Sequence, residues 1–146
     1  MHQSVREIMT ANVVSVSSHQ SIQEAAQLMK QHNIGVIPVV DHGQLKGIIT
    51  DRDITIRSTA GGSAPHIPVS QCMTTNVTVA HPEMDVHQVA DLMAQYQIRR
   101  IPVTENSQVV GMVALGDLAE EQIYQNEAGQ ALSSISTPAH PDQLLL

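Results

Sequence analysis

The sequence contains almost no aromatic residues: its 146 residues include no Phe, no Trp and only two Tyr, Tyr96 and Tyr124. Apolar residues nevertheless make up 42% of the chain, which is too high a fraction for a disordered protein. Any core is therefore built from aliphatic side chains and methionine. A chain so poor in aromatic residues also lacks the platforms on which single-stranded bases stack.

Cysteine and basic residues are also scarce. The single Cys72 excludes an internal disulfide and a cysteine-rich zinc site, which favours a reducing cytoplasm. Seven Lys and Arg stand against 14 Asp and Glu, so the net charge is −7 with histidine neutral. Because duplex binding requires several basic residues on one face, we expect no nucleic-acid partner.

Long apolar runs are missing as well. No stretch approaches the ~18 residues that a membrane span requires, and residues 1–7 show no charged segment followed by an apolar block. We therefore expect no membrane segment and no signal peptide. A chain of this length buries roughly 68–70% of its unfolded surface, which is enough for one domain without stabilising cross-links.

The sequence repeats itself at an offset of 64 residues. Residues 5–54 align with residues 69–118 without a gap, and by direct count 16 of the 50 aligned pairs are identical. The identical pairs include Met-Thr, Asn-Val and Leu-Met dipeptides and an Ile-Pro-Val triplet. An ungapped register of this length indicates that one structural unit has been duplicated.

Each repeat predicts one long helix after a short strand. Ser21 and Glu24 have the spacing of a capping box, and apolar residues recur behind them at helical intervals. The second copy repeats this pattern from Asp85. We expect the first helix to end at Asn33 and the second near Gln97.

A hairpin follows each predicted helix. Two β-branched runs, each carrying one proline, predict strands that lie at a sheet edge or contain a bulge, since proline cannot donate to the ladder. Turn-forming residues then separate each run from a second strand, and a further helix begins near Asp51 and near Leu115. The predicted strands are residues 13–16, 34–40, 45–50, 77–79, 98–104 and 109–114.

The repeats define the domain organisation. We assign residues 4–57 to a first motif, 58–68 to a linker rich in Gly and Pro, 69–123 to a second motif and 124–146 to a C-terminal tail. The linker is too short to separate independent domains, so the motifs should pack together. The residues after 127 are expected to be irregular.

The repeated residues resemble the cystathionine-β-synthase (CBS) motif. The first copy reads IGVIPVV at 34–40 and GIITDRDI at 47–54, and the second reads IRRIPV at 98–103 and GMVALGDL at 111–118. Two tandem copies resemble a CBS pair, or Bateman module, of the stand-alone bacterial type. The resemblance implies an α+β fold in which two βαββα motifs pack with pseudo-two-fold symmetry.

The resemblance also implies a function. CBS pairs have a cleft on either side of the motif interface that commonly takes AMP, ADP, ATP or S-adenosylmethionine, with no required cofactor. They usually form homodimers, shaped as a flat disc of four motifs. Because no catalytic, channel or transporter domain is recognised, we expect no enzyme activity and an output through a separate protein partner.

The family pattern points to Thr50 and Asp53 as ribose ligands. A carboxylate suits a vicinal diol because it offers several acceptor sites to two donors. The alternative is that the pair only caps a helix. In the second copy Asp117 is kept but Ala114 replaces the threonine, which puts the second cleft in doubt.

Arg99 and Arg100 form the only adjacent basic pair, and the first copy has Gly and Val at these positions. Their forked guanidinium groups suit a ligand phosphate, although surface or dimer salt bridges are an alternative. By their position in the motif, Val13, Ile37 and Pro38 are predicted to wall the adenine, with plain core packing as the other interpretation.

Other chemistries have little support in the sequence. The eight histidines show no metal-binding spacing on a predicted helix, and Cys72 replaces an isoleucine of the first copy, as a small buried residue would. We therefore hypothesise a regulatory module that binds an adenosyl ligand. The alternatives are a ligand-free dimerisation or protein-interaction module and a histidine-based metal-binding stress protein.

Overall fold

The computed structural model describes residues 3–120 and 125–137 of the chain. The helices of these residues are α1 (Val5–Ile8), α2 (Ile22–His32), α3 (Asp51–Asp53), α4 (Val86–Tyr96), α5 (Leu115–Glu120) and α6 (Gln125–Ser136). The strands are β1 (Val36–Asp41), β2 (Gln44–Thr50), β3 (Arg100–Glu105) and β4 (Gln108–Ala114). A π-helical segment, Ile54–Thr59, continues α3, and a 3₁₀ turn, Val69–Gln71, opens the second motif. This mixture of helix and sheet confirms the predicted α+β class.

Both long helices begin and end where the sequence predicts. The Ser21 hydroxyl accepts a hydrogen bond from the Glu24 backbone at 3.0 Å, and Asp85 caps α4 in the same way through His87. Asn33 and Gln97 end the two helices with φ of 54°, in the left-handed conformation. That conformation stops the helical hydrogen-bond ladder and turns the chain toward the next strand.

The two predicted hairpins are confirmed. β1 pairs antiparallel with β2, and β3 with β4. Each turn has two residues, His42-Gly43 or Asn106-Ser107, and all four have positive φ. Such turns match the right-handed twist of the flanking strands.

The hairpins join into one sheet of strand order β1-β2-β4-β3. β2 and β4 pair only through Gln44 and Gln108, so the hairpins touch at one end and diverge. Pro38 and Pro102 lie in the two outer strands, β1 and β3, as the missing amide requires.

The segments predicted as first strands form only isolated parallel bridges, in which Val16 lies beside Val39 and Ala80 beside Val103. In the first motif the Val16 amide donates to the Pro38 carbonyl, and the Val40 amide donates to Val16. The N–H and C=O of one strand residue point to the same edge. Because Pro38 offers a carbonyl but no amide at this edge, the pairing does not extend into a longer strand.

Each motif completes the other's hydrophobic core. Val5 of the first motif is fully buried in the cluster formed by α4, β3 and β4, with Ile8 and Met9 packed beside it. In the opposite direction, Val69 and Cys72 of the second motif are buried with α2, β1 and β2. The two motifs thus exchange their first segments, residues 5–9 and 69–72, which the sequence did not predict.

Backbone bonds hold the exchanged segments in place. Thr10 and Met112 donate to each other's carbonyls at 2.8 and 3.0 Å, and Thr74 and Ile48 do so at 2.8 and 2.9 Å. The two pairs are related by the 64-residue offset. They give the molecule the pseudo-two-fold symmetry that the sequence predicts.

The tail is not irregular where the structure describes it. Residues 125–136 form α6, with Ala128 and Ala131 buried in the second core cluster. The Gln97 side-chain amide donates to the Ser134 carbonyl at 2.8 Å, and His87 contacts Glu127 at 3.1 Å. For residues 128–136 the prediction was wrong, because alanine and serine spacing gives little hydrophobic signal although small side chains allow close packing on α4; residues 138–146 lie outside the described residues. Across the described ranges, no helix is long and apolar enough to cross a membrane.

We predict that Gly47→Ala destabilises the fold, because the added Cβ would lie 2.5 Å from the Thr74 carbonyl oxygen. The exchanged segment would have to move and lose its pairing with Ile48. The expected loss in the free energy of unfolding is about 1–3 kcal/mol, measured by urea titration with circular dichroism. Gly61→Ala, at an exposed turn with 3.6 Å of clearance, is the control. Equal stability of the two variants would contradict the prediction.

Candidate functional site

A cleft lies between the two motifs, where the chain crosses from one to the other. Residues 10–16 run from the pairing with Met112 in β4 to the pairing with Val39 in β1. The space enclosed by this segment and the two strands is about 190 Å³. It is lined by Thr10, Asn12, Val13, Val14, Ile34, Val36, Pro38, Arg100, Met112, Ala114 and Asp117.

Four of the predicted site residues meet in this cleft. Val13 and Pro38 form part of its apolar wall, and Arg100 and Asp117 supply its charged groups. Of these four residues, the two apolar ones come from the first motif and the two charged ones from the second. The exchange of segments thus brings together residues that are far apart along the chain, from 62 positions for Pro38 and Arg100 to 104 positions for Val13 and Asp117.

Asp117 is separated from Val13 by 104 positions in the sequence, yet both line the same cleft. One Asp117 carboxylate oxygen accepts a hydrogen bond from the Ala114 amide at 2.8 Å, which fixes the side chain at the start of α5. Within residues 3–120 and 125–137, no donor contacts the other oxygen. The half-buried carboxylate therefore keeps an acceptor for a ligand.

Arg100 carries the positive charge of the cleft. Its side chain is exposed, as is that of Arg99, and neither guanidinium has an ion-pair partner in the described part of the chain. Arg99 lines an adjoining pocket together with Arg100 rather than the cleft itself. A guanidinium without an ion-pair partner, next to a carboxylate that has one oxygen free to accept hydrogen bonds, can bind a ligand that carries both an anion and a diol.

Ile37 does not line this cleft. Its side chain is fully buried in the core of the first motif, because successive side chains of β1 point to opposite faces. Val36 and Pro38 face the cleft instead. Because alternate residues of a strand share a face, Val36 and not Ile37 accompanies Pro38 in the cleft wall, and the prediction of Ile37 from the sequence did not apply this rule. The prediction also missed Met112, which lies in the cleft wall on β4.

Thr50 and Asp53 lie outside this cleft and bind each other. The Asp53 amide donates to the Thr50 hydroxyl at 2.9 Å, and the Thr50 amide donates to the Asp53 carboxylate at 3.0 Å. This reciprocal pair is a capping box at the start of α3. The geometry is that of the helix cap considered as the alternative to ribose binding.

Further donors surround the Asp53 carboxylate, which is only 8% exposed. The Thr74 hydroxyl donates to its two oxygens at 3.2 and 3.3 Å, and the Arg57 guanidinium lies 3.6 Å away. A ligand diol would have to displace these partners. The Asp117 carboxylate is therefore more available to a ligand than that of Asp53. The sequence favoured Asp53, because only the first copy has the threonine of the family pattern.

Cys72 is buried, as the sequence predicts, at 1% exposure. Burial raises the pKa of its thiol, and the negative charge of nearby Asp53 raises that pKa further. Since the thiolate is the reactive form, the thiol is a packing group at neutral pH.

Comparison with known proteins identifies the family. A family model for the CBS domain matches the chain twice, at residues 5–58 and 69–124. The chain is also 52% identical over 133 residues to the CBS domain-containing protein YhcV of Bacillus subtilis (strain 168). That match covers 91% of this chain and 95% of the relative.

Two solved structures share the fold with a TM-score of 0.74. The CBS domain pair of protein MJ0100, in complex with 5′-methylthioadenosine and S-adenosyl-L-methionine, is 33% identical, and the match covers 87% of this chain and 99% of that one. Hypoxic Response Protein I, with two coordinated zinc ions, is 32% identical, with 81% and 98% covered. In the present chain, the described residues include no group of three or more His, Cys, Asp or Glu side chains that could hold a metal.

We predict that Asp53→Ala lowers the free energy of unfolding more than Asp117→Ala does. Asp53 accepts bonds from a backbone amide and a hydroxyl and faces a guanidinium, whereas Asp117 accepts one bond. The expected cost of Asp53→Ala is about 1–3 kcal/mol, measured by urea titration. A larger cost for Asp117→Ala would contradict the assignment of Asp53 as a structural group.

Proposed function

The chain belongs to the CBS domain family, and on that premise we propose that its inter-motif cleft binds an adenosyl ligand and regulates a partner. The observation that carries this proposal is the meeting of Asp117, Arg100 and an apolar wall in one cleft. The related CBS pair that holds methylthioadenosine and S-adenosylmethionine supports it.

Each part of an adenosine compound has a counterpart in the cleft. The unbonded oxygen of Asp117 accepts from the ribose diol, and Arg100 faces a 5′ anionic group. Val13, Val36 and Pro38 pack against the base, which the chain binds without an aromatic sandwich because the cleft contains no aromatic residue. In this proposal Thr50, Asp53 and Ile37 stabilise the fold and do not contact the ligand.

The size of the cleft limits what it encloses. At about 190 Å³ it is smaller than the roughly 300–1,000 Å³ of most small-molecule sites. The base and ribose occupy it, and the 5′ substituent extends past Arg100.

Regulation requires that the ligand bind one arrangement of the two motifs more tightly than another. The cleft is suited to this, because both motifs line it: Val13, Val36 and Pro38 belong to the first motif, and Arg100, Met112, Ala114 and Asp117 belong to the second. Closure on a ligand draws β1 and β4 together. We propose that this change is transmitted to a protein partner in the cytoplasm without catalysis.

We predict that one or more of AMP, ADP, ATP and S-adenosylmethionine raises the thermal unfolding midpoint. A ligand at about 100 times its dissociation constant adds about 2.7 kcal/mol of stability. Asp117→Asn and Arg100→Gln should each reduce the shift, while Arg52→Gln, an exposed arginine outside the cleft, should not. If none of the four ligands shifts the midpoint at millimolar concentration, the ligand-free dimerisation module becomes the better interpretation.

We also propose that the chain forms a homodimer, as its resemblance to CBS pairs implies. Ile56 and Tyr96 are large apolar side chains that are 49% and 53% exposed, and pairing would cover such groups. Analytical ultracentrifugation should give twice the mass of the chain, and Ile56→Glu should shift the equilibrium toward monomer. Lys46→Glu, also at an exposed position, is the control, and a monomeric parent protein would contradict the proposal.

A further inference from the structure

Helix α6 encloses a second pocket next to the cleft. This pocket measures about 620 Å³ and is lined by Arg99, Arg100, Ala114, Leu115, Gly116, Ala119, Ala128, Gly129 and Leu132. Three of these residues, Ala128, Gly129 and Leu132, come from α6. The pocket is large enough for a substantial part of a small molecule.

The first motif provides an internal comparison. Residues 51, 52 and 55 correspond to residues 115, 116 and 119 by the 64-residue offset, and they line a groove of about 300 Å³ with Ile56. That groove is lined by Asp51 and Arg52, whereas the corresponding positions under α6 are Leu115 and Gly116. The pocket is therefore a feature of the second motif and of α6, and the repeat alone does not produce it.

The lining separates into an apolar part and a cationic part. Leu115, Ala119, Ala128 and Leu132 offer aliphatic surface, and no carboxylate is among the lining residues. Arg99 and Arg100 supply two positive charges that are unpaired within the described ranges. This combination suits a molecule with an anionic group followed by an uncharged arm.

Arg100 and Ala114 line both the pocket and the cleft, so the two spaces adjoin at these residues. A molecule that passes Arg100 on leaving the cleft enters the pocket under α6. The order of groups along this path is a carboxylate at Asp117, two guanidinium groups, and then aliphatic side chains.

We propose that the cleft and the pocket form one site for an adenosine diphosphate conjugate, whose uncharged organic arm lies under α6. This inference rests on the proposed adenosyl site and adds the class of ligand to it. The two phosphates face Arg99 and Arg100, and the arm packs on Leu115, Ala128 and Leu132. Asp117 requires free ribose hydroxyls, so a 3′-phosphate on the ribose would be repelled by its carboxylate.

Dephospho-coenzyme A is the probe, since it carries a neutral arm on ADP and has a free ribose diol. By isothermal titration calorimetry it should bind about tenfold or more tightly than ADP, and coenzyme A, with its 3′-phosphate, should bind more weakly than dephospho-coenzyme A. Equal affinities for ADP and dephospho-coenzyme A would overturn the role of the pocket but leave the adenosyl site intact. Binding of neither compound, with no response to AMP, ATP or S-adenosylmethionine, would overturn the adenosyl site as well.

Gly129→Leu tests the pocket itself. A Cβ at Gly129 meets no atom within 4 Å, and the residue lines the pocket, so the leucine fills the space while favouring the helix. The advantage of dephospho-coenzyme A over ADP should disappear, with ADP affinity unchanged. Gln130→Leu adds the same side chain at an exposed position of α6 outside the pocket and should keep the advantage. If Gly129→Leu does not fold, Leu132→Gln, at a 45% exposed position, replaces it. Retention of the full advantage in a folded pocket variant would overturn the proposal.

Discussion

Backbone pairing of Thr10 with Met112, matched by Thr74 with Ile48, ties the two motifs into one body. The second crossing requires glycine at 47, since a Cβ there would lie 2.5 Å from the Thr74 carbonyl oxygen, whereas a Cβ at 111 would lie 2.5 Å from the movable Met9 sulfur and 3.1 Å from the Thr10 carbonyl oxygen. The crossings also place Val5 in one core and Val69 in the other. The cleft is a consequence, because the chain must span from β4 to β1 between two fixed pairings.

The shared scaffold carries different chemistry on its two sides. Thr50 and Arg57 of the first motif, together with Thr74 of the second, surround Asp53 with donors, and this carboxylate stabilises the fold. In the second motif the Ala114 amide makes the equivalent bond to Asp117, but among the described residues no hydroxyl or guanidinium contacts that carboxylate, so one oxygen stays free of described donors. Duplication thus left one carboxylate structural and made the other available to a ligand.

The repeat, the helix ends and the hairpins could be predicted because they depend on local chemistry. Asn33 ends a helix through its own backbone conformation, and Pro38 requires an outer strand because it lacks an amide. The more available aspartate could not be chosen, because the partners of Asp53 include Thr74, which is 21 positions away. Nor could α6 be anticipated, since its stability comes from packing on α4 rather than from its own hydrophobic pattern.

The mutual completion of the cores bears on how such a chain can originate. A single motif would leave Val5 or Val69 without the cavity that buries it in the pair. Two identical copies of one motif would satisfy this need by exchanging their first segments about a two-fold axis, as an isologous dimer does. The present arrangement corresponds to such a dimer within one polypeptide, with the two matched domains joined by residues 59–68. Fusion then allowed each half to diverge, which a symmetric assembly of identical subunits forbids.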